Sequence, residues 1–131
     1  MYLNRQLLVN KMKNEESIEV FIDQIRRRFA KSFLDLLILQ LVEDEPTWGY
    51  DIIKKTEKAY KVKLRHGALY PMLNKLETKG LLKSRRELQK GRVRKIYDIA
   101  TDGRQRLHAY HDFLREQIPE KTVNKSRETK E

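Results

Sequence analysis

Apolar positions along the chain fall into helical blocks, with one change of period near residue 81. Residues 1 to about 14 show no clear period. From Ser17 the positions Ile18, Phe21, Ile22, Ile25 and Phe29 recur at helical spacing, with Asp23, Arg26, Arg27 and Lys31 opposite, which predicts a helix over about 16–30. Ser32 and Asp35 have the form of a capping box for a second helix. Leu34, Leu37, Ile38 and Leu41, widened by Leu36 and Leu39, make that helix almost wholly buried until Pro46 ends it. No glycine or proline separates Ser17 from Glu45, so one continuous rod is the alternative. Thr47 can cap the next helix, "WGYDIIKKTEKAY", which dies around Tyr60–Val62. Gly49 in its first turn costs helix propensity and points to a close backbone approach.

In "HGALYPMLNKLETKGLL", Leu69, Met72, Leu73, Leu76 and Gly80 share one face of a helix over 67–80. Gly67, Tyr70, Pro71, Asn74, Lys75 and Thr78 point the other way, and that face holds no acid. If the regular helix begins at about Ala68 or Leu69, Pro71 falls in the first turn, where few N–H groups have helical partners. Gly80 is the expected left-handed stop. Two strand-like runs then flank "QKGR", a β-hairpin over 82–99 with its tip at Gln89–Arg92. Its expected apolar side is Leu82, Val93, Ile96, Tyr97 and Ile99. Leu107, Tyr110, Leu114 and Ile118 give a last helix over about 102–118 a seam close to that of a coiled coil, flanked by His111 and Phe113. Pro119 stops it, and the polar residues 119–131 are expected to be disordered. Buried helix, helix, short connection, amphipathic helix and basic hairpin is the layout of a winged helix-turn-helix. The fold class is therefore mainly α with a small β-hairpin, with an added N-terminal helix.

Charge sharpens this layout. Residues 61–95 hold twelve Lys and Arg against Glu77 and Glu87, which is the chain's whole net charge of +10. A basic excess confined to one segment marks a polyanion-binding surface rather than general solubility. The chain has no cysteine, which excludes disulfides, thiol catalysis and cysteine-ligated zinc. His108 and His111 lie near Asp112 and Glu116, but ligands on one short helix rarely converge, so no metal or other cofactor is expected. Glu43, Asp44 and Glu45 form only an acidic helix end, and no enzyme is expected. The longest apolar run, Phe33 to Val42, is too short to span a membrane, and the N-terminus lacks the order of a signal peptide. A cytoplasmic, nucleoid-associated protein is expected.

The segments "FLDLLILQLV" (33–42), "PTWGYDII" (46–53), "GALYPMLNKLETKGLL" (67–82) and "GRVRKIYDIATDG" (91–103) carry a more specific likeness. With the last helix, they resemble the PadR family of winged-helix transcriptional regulators, and Leu69–Tyr70–Pro71 is the most distinctive part. The resemblance implies a homodimeric repressor that binds a palindromic or near-palindromic DNA operator and is relieved by an effector of unknown identity. It implies groove-facing roles for Gly67, Ala68, Tyr70, Pro71, Asn74 and Lys75, and wing contacts from Lys90, Gly91, Arg92 and Arg94. His66, just before the helix, is a candidate phosphate contact. The last helix becomes the dimerisation helix, with Leu107, Tyr110, His111, Leu114 and Ile118 at the interface. The implied division is an N-terminal arm (1–30), a DNA-binding domain (31–100), the dimerisation helix (101–118) and the tail. Trp48, Ala68 and Ala100 depart from the family's usual His, Ser or Thr, and Thr. Trp48 is read as a plug between helices. An alternative is a protein–protein module whose basic wing meets an acidic partner. RNA binding ranks last, because Tyr70 is the only evident stacking platform.

Overall fold

A computed structural model describes residues 2–118; the tail expected to be disordered lies outside the described residues. Five helices and three strands follow in the order α1 (Tyr2–Ser32), α2 (Leu34–Asp44), β1 (Thr47–Trp48), α3 (Gly49–Tyr60), α4 (His66–Thr78), β2 (Leu82–Gln89), β3 (Arg92–Ile99) and α5 (Thr101–Gln117). The sheet is antiparallel with strand order β1-β3-β2. The chain is mainly α with a small sheet, as the apolar pattern predicts.

The core lies where α2, α4, the root of the sheet and α5 meet. Ile38, Val42, Ile52, Leu69, Leu73 and Leu107 are fully enclosed there, and Leu34, Leu76, Leu82, Tyr97 and Ile99 complete it. Helical spacing puts Leu69, Leu73 and Leu76 on one side of α4, and these are the residues that α4 buries.

Several local expectations are corrected. The first helix begins at Tyr2, not near residue 16, so the stretch without a period is helical. It breaks at Phe33, but no capping box forms. Phe33 stands at the N-cap with φ −120° and ψ 34°, and no side chain caps α2. Asp35 Oδ1 instead accepts from the N–H of Leu36. Backbone bonds from Phe33 to Phe29 and from Leu37 to Phe33 run through the break, so the two helices join at a kink. Thr47 is a buried residue of β1 and caps nothing; its hydroxyl donates to the Glu45 carbonyl at 2.7 Å. Thr47 pairs with Tyr97 and Trp48 with Ile96, adding a third strand to the hairpin.

α4 starts at His66, so Pro71 is its sixth residue and lies beyond the first turn. The missing proline N–H leaves the Gly67 carbonyl without its helical partner, which is tolerable because Gly67 is exposed. The end of α4 matches expectation closely. The Leu81 N–H bonds to the Leu76 carbonyl and the Gly80 N–H to that of Glu77, with Gly80 at φ 74°, a Schellman motif. β2 and β3 pair from Leu82–Ile99 out to Gln89–Arg92. Lys90 and Gly91 both have positive φ, as a two-residue type I′ turn requires. Val93 is not on the apolar side; it and its partner Leu88 are exposed near the tip.

Candidate nucleic-acid interface

The outward face of α4 comprises His66, Gly67, Ala68, Tyr70, Pro71, Asn74 and Lys75, all exposed. The rings of His66 and Tyr70 stack with centroids 5.7 Å apart. Tyr70 lies against the start of α3: a Cβ on Gly49 would stand 2.9 Å from the Tyr70 hydroxyl. The close approach expected of Gly49 is therefore to the tyrosine of the helix that follows.

Across from Tyr70 and Asn74 stands the hairpin. Between them runs an open cleft of about 500 Å³, lined by Trp48, Tyr50, Tyr70, Asn74, Arg92 and Arg94 among others. Aromatic faces and guanidinium groups thus meet in one groove. The Arg94 guanidinium lies over the Trp48 ring, its carbon 3.2 Å from the centroid. Trp48 meets Tyr50 edge-on at 6.0 Å, and Lys54 sits 4.5 Å over the Tyr50 ring. Trp48 is thus a support for the wing rather than a plug between helices. β1 ends at Trp48, level with Ile96, so this stack supports β3 two residues further toward the tip. Sequence reading missed this role because it depends on the two-residue strand β1.

Lys75 is not part of the cleft. It lines a separate groove of about 300 Å³ with Asp35, Met72, Lys79 and Arg106, on the side of α4 that faces α5. Tyr70, Asn74, Arg92 and Arg94 are brought together. Lys90 occupies the hairpin tip, where it also lines a smaller groove beside Trp48, Asp51 and Arg94.

The two acids of the basic segment are both engaged inside it. Glu77 accepts from the Ser84 hydroxyl at 2.8 Å and meets Lys95 Nζ at 3.1 Å, bracing α4 against the sheet. The Ser84 hydrogen bond, with help from Lys95, holds the Glu77 carboxyl below the usual carboxylate range. Its bond to Glu77 raises Lys95 in turn. Glu87 pairs with Arg85 at 2.7 Å, and that hydrogen bond lowers the Glu87 carboxyl. The other ten cations of residues 61–95 make no salt bridge to a described carboxylate. Positive potential therefore concentrates on the face that carries α4 and the wing.

On α5 the expected seam divides. Leu107 is fully buried in the core of its own chain and has no surface to offer a partner, which corrects its place at an interface. Tyr110 is half-buried against that core, its ring 5.8 Å from Phe33. His111 Nε2 lies 3.4 Å from Gln40 Oε1. Phe113, Leu114 and Ile118 are exposed. Among the described residues no group of three or more His, Cys, Asp or Glu side chains is placed to hold a metal ion. No described helix is long and apolar enough to cross a membrane.

A helix with an acid-free outer face, set beside a cationic hairpin, defines a winged helix-turn-helix. Residues 38–109 match the model of the transcriptional regulator PadR-like family, and the chain belongs to that family, whose members are transcription regulators and not enzymes. Among solved structures, a PadR family transcription regulator from hypervirulent Clostridium difficile R20291 is 27% identical, with a TM-score of 0.61 over 71% of this chain and 96% of that one. One from Eggerthella lenta DSM 2243 shares the fold at 24% identity, with a TM-score of 0.60 over 90% of this chain and 98% of that one. Bacillus subtilis PadR, solved in complex with operator DNA, is 28% identical, with a TM-score of 0.56 over 60% of this chain and 47% of that one. No curated protein matches the sequence.

Proposed function

We propose that this DNA-binding regulator is a homodimeric repressor that reads a near-palindromic duplex operator with α4 in the major groove. The observation that carries this is the joint surface of the acid-free face of α4 and the cationic wing, which share one cleft. Asn74 is the residue suited to read a base, since a carboxamide can bond adenine at two atoms. Tyr70, Pro71, Gly67 and Ala68 shape the face that enters the groove, and His66 stands at its N-terminal end. Lys75 serves phosphate from the flank of α4. Lys90 and Arg92 meet phosphates or the minor groove at the wing, and Arg94 joins them from its seat on Trp48. These wing contacts add affinity without base information.

Residues 31–100 form the reading unit, residues 1–30 the arm, and 101–118 the dimerisation helix. The exposed side of α5, with Tyr110, His111, Leu114 and Ile118, serves the second copy. Hydroxyl-radical footprinting on DNA selected from the genome tests this reading. The expected result is two protected half-sites related by twofold symmetry, with centres about 10 base pairs or a multiple apart. Protection of one unsymmetrical site would refute the dimeric reading. Binding of an acidic protein with no DNA protection would favour the protein–protein module instead.

A further inference from the structure

The groove that holds Lys75 lies outside the cleft of α4 and the wing, where α2, the end of α4 and α5 meet. Its chemistry is divided. Leu36, Leu39, Met72, Leu76 and Leu81 give it an aliphatic lining, and no aromatic ring is among the described residues that line it. Leu39, Leu76 and Leu81 are at most 5% exposed and form the floor. Lys75, Lys79 and Arg106, all exposed, stand at the rim.

Lys75 and Lys79 lie four residues apart at the end of α4, which sets both on one side of it. Arg106 reaches the same groove from α5. None of the three makes a salt bridge to a described carboxylate. Asp35, the one acid of the groove, has its Oδ1 engaged by the Leu36 N–H at 2.9 Å. Three cations and one carboxylate leave an excess of two positive charges above an aliphatic floor. Like charges four residues apart on a helix repel, and an apolar floor open to water forgoes burial. Both halves of the groove gain from one occupant that is anionic at one end and apolar at the other.

We propose that this groove binds a small aliphatic carboxylate, its head on Lys75, Lys79 and Arg106 and its chain on the leucine floor. A planar guanidinium suits the two oxygens of such a head. The volume of about 300 Å³ stands at the lower end of small-molecule sites, which admits one short alkyl chain and excludes a membrane lipid. The aliphatic lining favours an alkyl chain over an aromatic ring. Lys75 is the cation that the groove shares with the proposed DNA surface. A bound carboxylate holds Lys75 away from phosphate and sets a negative charge beside it, so operator affinity falls. That consequence rests on the DNA-binding reading above; the site itself does not. Because the groove joins α4 to α5, its occupant also braces that joint and raises Tm.

Calorimetric titration of the full chain with sodium octanoate, without DNA, tests the proposal. Acetate supplies the head without the chain, and octylamine the chain with the wrong charge. Arg106→Gln removes one rim cation, and Ala109→Phe places a ring in the groove. Arg106 and Ala109 are exposed on α5, so neither substitution disturbs the core, and a thermal melt checks folding. The expected result is saturable octanoate binding in the millimolar range, with none by acetate or octylamine. Arg106→Gln weakens it at least about 10-fold, the loss of one charge-assisted hydrogen bond. Ala109→Phe weakens it as well. Octanoate also lowers wild-type affinity for the operator more than acetate does at equal ionic strength. Arg106→Gln blunts that effect while its affinity for the operator alone matches wild type. No saturable octanoate binding, equal binding of octylamine, or octanoate binding that both substitutions leave intact overturns the proposal. So does octanoate affinity that falls as protein concentration rises, which would give the groove to a second copy. Octanoate binding by a chain that binds no duplex DNA would sustain the site and sink the DNA-binding reading, so the two failures are distinguishable.

Discussion

Gly103 sits where the base of α5 meets the root of the wing, and replacing it with alanine tests how that joint is built. A Cβ at this position would overlap the Leu81 carbonyl oxygen and stand 3.0 Å from the Leu81 carbonyl carbon and 3.1 Å from an Ile99 side-chain carbon. The same oxygen accepts a 3.0 Å hydrogen bond from the Ala100 N–H. The obstacle is backbone, fixed by the Schellman turn of α4 on one side and by β2 on the other, so it cannot swing aside. Overpacking of this kind costs about 1–3 kcal/mol. Losing the Ala100 bond costs about 1–3 kcal/mol more. The better helix propensity of alanine returns about 1 kcal/mol. The net loss is about 3 kcal/mol, or on the order of 10–15 °C in Tm for a chain of this size. Gly67→Ala is the matched control, because nothing lies within 4 Å of its Cβ position. It should be neutral or slightly stabilising. Thermal melts by circular dichroism decide the matter, and a Gly103→Ala protein melting within about 2 °C of wild type would refute the reasoning.

Three further outcomes follow from the site. Arg94→Lys keeps the charge but loses the guanidinium over Trp48, the only tryptophan, so Trp48 emission should shift; an unchanged spectrum would show that the contact does not form in solution. Asn74→Ala should cost about 1–3 kcal/mol on the preferred operator and relax its sequence preference, whereas Arg92→Ala should weaken all duplexes alike and lower the salt slope by about 1; competition binding against operator variants separates the two. The folded Glu77 carboxyl is held below its unfolded pKa, so its contribution is fully present above the unfolded value and is lost as pH falls through the folded one. The difference in Tm between wild type and Glu77→Gln should therefore shrink from pH 7 to pH 3, and a constant difference would contradict this.

Strong, local signals in the sequence survive in the structure. The two faces of α4, the Gly80 stop and the hairpin with its Lys90–Gly91 turn all appear as periodicity and turn chemistry require. What was hidden depends on distant partners. β1 is two residues long, and its partner strand lies some fifty positions away, so Thr47 reads locally as a helix cap. Residues 2–15 are helical without a clean period, since Leu7, Leu8, Val9 and Met12 spread around the axis. The seam of α5 is real as spacing, yet spacing alone cannot say that Leu107 turns into its own core while Leu114 faces outward. Pro71 lies beyond the first turn because α4 begins two or three residues before the expected Ala68 or Leu69, and helix starts are weakly marked where no side chain caps them.

Duplex DNA binding through the unpaired cations of α4 and the wing is the central proposal for this protein. The most direct measurement is affinity for a duplex operator by fluorescence anisotropy between 50 and 200 mM salt. If Lys75, Lys90 and Arg92 of each copy meet phosphates, a dimer makes about six such contacts. The slope of log K against log salt is then about −5, a loss of roughly 10³-fold over that range. A slope shallower than about −1, or no measurable binding to duplex DNA at 50 mM salt, would contradict the account.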